Sequence, residues 1–204
     1  MDCLVRDYLM PNLGPTHWLP FLFPAMWLAY IVYWRAMAVD TKSDERSEDA
    51  SSRLQRFAVM VIALVLLGIP SFRLWVLDRR FLPASVWWFW IGAVVTAAGL
   101  LFSVWGRRYL GRNWSRAVTI KKDHELITGG PYSLVRHPIY TGLLTGLFGC
   151  ALAVGEWRGL VAVGLVFIVL LRKLRLEEQW MREQFGETYG SYSRQVRALV
   201  PYVF

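Results

Sequence analysis

Five apolar runs set the first limit on this chain: roughly residues 18–38, 57–77, 84–105, 138–155 and 159–172. A helix needs about 20 mostly apolar residues to cross the hydrocarbon of a bilayer. In lipid the backbone must satisfy its own hydrogen bonds, and a helix does this within one segment. The expected fold is therefore an all-α integral membrane protein with about five transmembrane helices. The fourth and fifth runs are separated only by "EWR" at 156–158, which predicts a tight C-terminal helical hairpin. A hydrophobic share of 55% and 11 tryptophans fit this reading better than a soluble domain.

Charge gives the runs a direction. Five spans place the loops at 39–56 and 106–137, with the C-terminal tail, on one side of the membrane. With Arg35 counted in the first loop, that side holds 18 of the 23 Lys and Arg residues. Only Arg6, Arg73, Arg79, Arg80 and Arg158 fall on the other. The positive-inside tendency then puts the N-terminus outside and the C-terminus in the cytoplasm, with a bacterial inner membrane as the expected home. The net charge of +8 is accounted for by this topology and by attraction to anionic lipid, so no nucleic-acid partner is expected. A cleaved signal peptide ending near "RAMA" is disfavoured by Asp2 and Asp7 against a single Arg6, and by Arg35 beside the cut. Cys3 and Cys150 offer neither a disulfide framework nor metal-ligand spacing, and no metal site is expected.

The sequence divides into residues 1–105, which carry three spans and little else, and residues 106–204, where polar groups gather around the hairpin. "ITGGPYSLVRHPIYTGLL" (127–144) crowds such groups against the mouth of an apolar helix. Gly129 and Gly130 allow backbone conformations and close ligand approach that a side chain would block. Pro138 suits a first helical turn, whose N–H groups favour a carboxylate or phosphate. Arg136, His137, Tyr132 and Tyr140 add donors and aromatic faces. Each has an ordinary explanation as a snorkelling cation, an interfacial anchor or a helix cap. Their clustering asks for a pocket. In the tail, Lys173 and Glu177 stand four apart, as do Leu174 and Glu178, so a helix leaving the fifth span stacks each pair on one face. Surface salt bridges would explain the spacing. A pair of carboxylates at a membrane exit also suits a ligand path. Gly142 and Gly146 form a GxxxG, read with Gly149 as helix packing.

Taken together, "HELITGGPYSLVRHPIYTG", "LRLEEQWMREQFGETYGSYSRQV" and the closing proline resemble the isoprenylcysteine carboxyl methyltransferase family and its bacterial relatives. That family shares its C-terminal module with phospholipid methyltransferases, and the resemblance covers roughly residues 110–201. It implies a helical membrane enzyme that uses S-adenosyl-L-methionine without a Rossmann fold. It assigns cofactor contacts to His124, Glu125, Leu126, Ile127 and Tyr132, and to the RHPxY element Arg136, His137, Pro138, Ile139 and Tyr140. A tail glutamate joins them, with Glu177 the best match and Glu178 the near alternative. A basic residue four positions earlier faces the acceptor in the eukaryotic enzymes. Here that position is Lys173 where those enzymes have arginine, and Arg172 and Arg175 flank it. Lysine lacks the rigid fork that grips a carboxylate. Thr119 is the nearest counterpart of a further polar contact upstream. The acceptor-side set is Lys173, Arg175 and Glu178.

The implied partner is a lipophilic small molecule or membrane lipid that enters sideways from the bilayer, while the donor arrives from the cytoplasm. No obligate protein partner is implied. A carboxylate acceptor needs no general base. A thiol or amine would make Glu178 or His137 the candidate base. Two competing functions remain. An NADPH-dependent reductase of the sterol-reductase type would need a cationic cluster such as Arg107, Arg108 and Arg112 for the 2′-phosphate. A non-catalytic helical membrane protein would need no cluster at all.

Overall fold

The computed structural model describes residues 21–37, 44–47, 50–68, 76–111, 119–121 and 126–201. Six α-helices dominate them: α1 (Leu22–Ala36), α2 (Ala50–Gly68), α3 (Val86–Leu110), α4 (Pro138–Val154), α5 (Trp157–Phe185) and α6 (Glu187–Gln195). The described residues are helical as expected, with one short addition. Strands β1 (Asp44–Ser47) and β2 (Thr119–Lys121) form a short antiparallel ladder, with Arg46 opposite Ile120 and Ser47 opposite Thr119. The two polar loops assigned to one side of the membrane thus meet. Paired strands satisfy backbone groups that neither loop satisfies alone.

Among the described residues, α3 is the one helix long and apolar enough to cross a membrane by length and composition. Leu54–Gly68 and Pro138–Val154 are shorter apolar helices. Large apolar side chains face outward along the bundle, including Leu28 and Val32 on α1, Val94 and Leu101 on α3, and Ile168 on α5. Such an apolar exterior suits contact with lipid. The chain has the helical, apolar character of a membrane protein.

The most extensive helix pair is α3 with α4, built on small residues. On α3, Gly92, Thr96, Gly99, Ser103 and Gly106 recur at spacings of four and three, and all are buried. On α4, Gly142, Gly146 and Gly149 do the same. A Cβ at Gly99 would lie 2.5 Å from the Gly146 nitrogen, so the backbones themselves are in contact. Thr96 Oγ1 donates to the Gly146 carbonyl at 3.0 Å across this seam. The glycines read as packing residues do pack, but against α3 and not chiefly across the hairpin. Tyr30 Oη and Ser103 Oγ are 2.8 Å apart, and Trp27 Nε1 donates to Cys150 Sγ at 3.2 Å, which docks α1 on this pair.

The hairpin turn is two residues long. Gly155 ends α4 in the left-handed region at φ 68°, and Glu156 precedes α5 at the N-cap position without a side-chain cap bond. The preceding segment clasps it: the Phe81 N–H donates to the Gly155 carbonyl at 3.0 Å and the Arg158 N–H to the Leu77 carbonyl at 2.9 Å. Helix α5 then runs unbroken for 29 residues. That makes it about 43 Å long, well beyond the ~30 Å hydrocarbon core. Its buried stripe reads Ala162, Val166, Leu170, Leu174, Glu178 at steps of four. The apolar part packs with Ala63 and Leu66 of α2 and Leu147 of α4. Glu178 closes the stripe, so the register that buries the core also turns one carboxylate inward.

Candidate active site

Two prolines frame the polar turn before α4. Pro131 is the second residue of a 3-10 turn at Gly130–Ser133, and Pro138 is the first residue of α4, where no side chain caps the helix N-terminus. Gly130 takes φ 58°, and a Cβ there would meet the Tyr109 ring at 2.5 Å. Tyr109 fills the space that a side chain at Gly129 or Gly130 would need. Tyr132 and Val135 are buried beneath the turn. The Tyr132 carbonyl accepts from Tyr192 Oη at 2.6 Å.

The C-terminal segment straps this turn from outside α6. The Arg136 N–H donates to the Arg197 carbonyl at 2.8 Å and the His137 N–H to the Ala198 carbonyl at 3.0 Å. Thr141 Oγ1 adds a bond to the Leu199 carbonyl at 2.7 Å. Arg136 Nη1 donates to the carbonyls of Ser193 (3.0 Å) and Val196 (2.5 Å). Leu174, Ala198 and Leu199 pack beneath, against Tyr140 and Leu144.

Both carboxylates of α5 turn toward this loop. Glu178 Oε1 accepts from Arg136 Nε at 2.8 Å and stands 2.6 Å from Arg136 Nη2 and 3.2 Å from His137 Nε2. Its other oxygen lies 3.7 Å from Arg182 Nη2. Glu177 accepts from Tyr140 Oη at 2.5 Å and lies 3.6 Å from both His137 Nδ1 and Lys173 Nζ. The His137 and Tyr140 rings are stacked, with centroids 5.5 Å apart and planes 4° from parallel. Lys173 Nζ sits 5.3 Å from the Tyr140 ring centre.

Burial alone would push the Glu178 carboxyl up, but the hydrogen bonds and charges of His137 and Arg136 outweigh it and hold the group at about 2. Burial moves Lys173 downward, opposed by Glu177. It moves the phenols of Tyr132, Tyr189 and Tyr192 upward, leaving them hydrogen-bond donors and not bases at neutral pH. Because the folded value of Glu178 lies below its ordinary 4.5, its contribution is present above about pH 4.5 and lost as pH falls toward 2. The difference corresponds to on the order of 3 kcal/mol. Chemical unfolding of the reconstituted protein at stepped pH should show that loss, and Glu178→Gln should remove it.

Half of the expected residues meet in this one place: Arg136, His137, Pro138, Tyr140, Lys173, Glu177 and Glu178. Tyr132 stands just behind, its hydroxyl 3.5 Å from the Gly106 carbonyl. Leu126 and Ile127 are half-buried, while His124 and Glu125 lie outside the described residues. Thr119 is on β2. Ile139 points to α3, where a Cβ at Gly106 would lie 3.3 Å from Ile139 Cγ1. Arg175 is exposed and lines an open depression with Glu178, Gln179, Arg182 and Glu183. Among the described residues, no group of three His, Cys, Asp or Glu side chains is placed to hold a metal. Arg107 leaves the phosphate-binding cluster proposed for it. Only 1% exposed, it donates to the Gly111 and Met37 carbonyls at 2.8 and 2.5 Å, tying α3 to the end of α1. Arg112 lies outside the described residues.

Sequence reasoning did not anticipate Thr141 or the backbone strap from residues 193–199. Tyr189 and Tyr192 lie within "FGETYGSY", where no spacing marks a role for them. Arg56 on α2 also escaped notice, although its charge interacts with Tyr140 and Glu177. No motif surrounds it, so only folding reveals it.

Known proteins place the same segment in context. Residues 87–188 match the phospholipid methyltransferase family, half of the chain. A probable protein-S-isoprenylcysteine O-methyltransferase of Oryza sativa subsp. indica is 29% identical over 122 residues, 57% of this chain and 64% of the relative. The Schizosaccharomyces pombe protein-S-isoprenylcysteine O-methyltransferase is 30% identical over 96 residues, covering 46% and 41%. The cobalt-zinc-cadmium resistance protein CzcN of Cupriavidus metallidurans is 27% identical over 114 residues, covering 55% and 51%. The chain thus spans less than two thirds of the length of these relatives. The matched segment runs from α3 into α6 and so includes the glycine seam, the RHPxY turn and both glutamates, and this chain belongs to the phospholipid methyltransferase family.

Proposed function

We propose that the cluster between the RHPxY turn and the exit of α5 transfers a methyl group from S-adenosyl-L-methionine to a lipophilic acceptor. A carboxylate such as that of an S-isoprenylcysteine is the acceptor we favour. The carrying observation is the convergence of Glu177 and Glu178 on Arg136, His137 and Tyr140 at the mouth of α4. Two of the relatives are named as protein-S-isoprenylcysteine O-methyltransferases, which supports the same chemistry.

The donor set fits this cofactor. Its methionine part carries an ammonium and a carboxylate, and the cluster offers carboxylates, a guanidinium and an uncapped helix N-terminus within one turn. The stacked His137–Tyr140 pair offers an aromatic face beside them. When bound, S-adenosylmethionine supplies an electrophilic methyl on a positively charged sulfur. Glu177, His137, Tyr140, Tyr132 and the segment from His124 to Ile127 would hold it. A carboxylate acceptor has no proton to lose, so the chain need supply only alignment and a water-poor environment. Glu178, held at about 2, is a poor proton acceptor, which suits it to fixing Arg136 and His137 in place. Lys173 faces the acceptor, and Arg175 guides charge at the open rim.

The same reading puts five spans across the bilayer, with the N-terminus outside and the site on the cytoplasmic face. It keeps residues 106–204 as the methyl-transfer module on an N-terminal membrane anchor. The test is cofactor binding to the purified, folded protein in nanodiscs. S-adenosylmethionine should raise the unfolding temperature and NADPH should not, with Glu177→Gln weakening the donor at least about tenfold, as for a charged hydrogen bond. Stabilisation by NADPH alone, or no donor binding at about 1 mM, a threshold of roughly 4 kcal/mol, would overturn the reading.

A further inference from the structure

Arg56 lies outside every motif of the C-terminal half, yet the fold brings it to the same cluster. On α2, Arg56, Met60, Ala63 and Leu67 follow one another at helical spacing and share a face. Met60, Ala63 and Leu67 belong to the apolar cluster that α2 builds with α4 and α5, and Tyr140 packs against that cluster. Arg56 sits one turn beyond Met60 on this face and is half-buried. Its charge interacts with Tyr140 and Glu177, and it acts on Lys173 as well. Lys173 reaches the same two side chains from α5, 3.6 Å from Glu177 Oε1 and 5.3 Å from the Tyr140 ring centre. Two cations on separate helices therefore address one patch at the apolar mouth of α4.

Their chemistry is complementary. A lysine is a point charge on a flexible stem and does not orient a planar carboxylate. An arginine supplies a flat fork whose parallel donors match both oxygens. The helix that supplies Lys173 has no arginine at that position. The neighbouring helix supplies one.

Resting on the methyl-transfer reading above, we infer that Arg56 and Lys173 together bind the carboxylate of the acceptor, with Arg56 as the residue that selects an anionic acceptor over its neutral analogue. The cofactor also carries a carboxylate, so the experiment separates the two sources. Full-length wild type, Arg56→Gln and Arg56→Lys are reconstituted in nanodiscs. Binding of N-acetyl-S-farnesylcysteine and of its uncharged carboxamide is measured without donor, and S-adenosylmethionine affinity is measured separately by calorimetry.

Wild type should prefer the carboxylate. Arg56→Gln should reduce that preference by about tenfold to a hundredfold, and Arg56→Lys by less. Carboxamide affinity should stay at the wild-type level, and donor affinity, which Arg56 reaches only through Glu177, should change much less than the carboxylate preference. The inference is overturned if the wild type shows no preference or if Arg56→Gln keeps it. It is equally overturned if the loss falls on donor affinity, which would give Arg56 to the cofactor. Should Arg56→Gln fail to fold, Arg56→Lys decides, and an unchanged ratio there overturns the inference. A wild type that binds the acceptor probes selectively but no donor would sink the methyl-transfer reading and leave the carboxylate selection standing.

Discussion

Replacing Glu178 with alanine will destabilise the protein by about 3 kcal/mol and release the C-terminal strap. The carboxylate is 9% exposed and accepts from Arg136 and His137. Removing one partner of a buried ion pair leaves the other charge without its counter-ion, typically at about 3–5 kcal/mol. Arg136 retains two acceptors, the carbonyls of Ser193 and Val196, which argues for the lower end. Those same carbonyls belong to the segment that bonds to the Arg136 and His137 N–H groups. A guanidinium that swings toward water to recover solvation takes the strap with it. The measurement is thermal unfolding in nanodiscs, paired with limited proteolysis. The variant should be cut between residues 190 and 201 under conditions that spare the wild type. A loss under about 1 kcal/mol would mean that the pair behaves as a surface salt bridge.

Gly142→Val will damage the protein at least as much, by a different route. An ideal Cβ at Gly142 would lie 2.6 Å from the Ser103 nitrogen and 2.7 Å from the Ser103 Cβ. Neither atom can rotate away, so α3 and α4 must separate. Overpacking of a tight core typically costs about 1–3 kcal/mol, and valine adds two further methyl groups to the collision. In lipid there is little hydrophobic drive to hold the helices together once contact is lost. Unfolding temperature and yield of folded protein should both fall. Gly164 on α5 is the control, because nothing lies within 4 Å of a Cβ placed there. Gly164→Ala should be neutral or gain up to about 1 kcal/mol from helix propensity. Equal losses at the two positions would remove the glycine seam from the account.

Local pattern accounts for much of what was legible. Apolar runs at 84–105 and 138–155 became α3 and α4, because an apolar run bounded by polar and helix-breaking residues is a property of the local sequence. The "EWR" linker left no room for anything but a turn. Lys173, Glu177, Leu174 and Glu178 fell on their expected faces because helical spacing is a property of the chain alone. The convergence of RHPxY with the two glutamates was read from motif resemblance, and the geometry brings those groups within 2.5–3.6 Å. The glycines of α4 were legible as packing residues, but their partner was not. Gly92, Gly99 and Gly106 on α3 repeat at seven residues, yet a small-residue stripe does not name the helix it faces.

By itself, then, the sequence determined where the apolar helices lie to within a turn or two, apart from the second, which runs from Ala50 to Gly68 and not over 57–77, and which polar groups crowd the two ends of the hairpin, since these follow from neighbours along the chain. Only the tertiary structure decided what crosses between segments. It turned Arg107 inward to two carbonyls, put Tyr109 over the glycine turn and laid residues 197–199 across the RHPxY backbone. Those contacts join residues tens of positions apart, and their partners are fixed by how whole helices pack, which spacing along one helix does not encode.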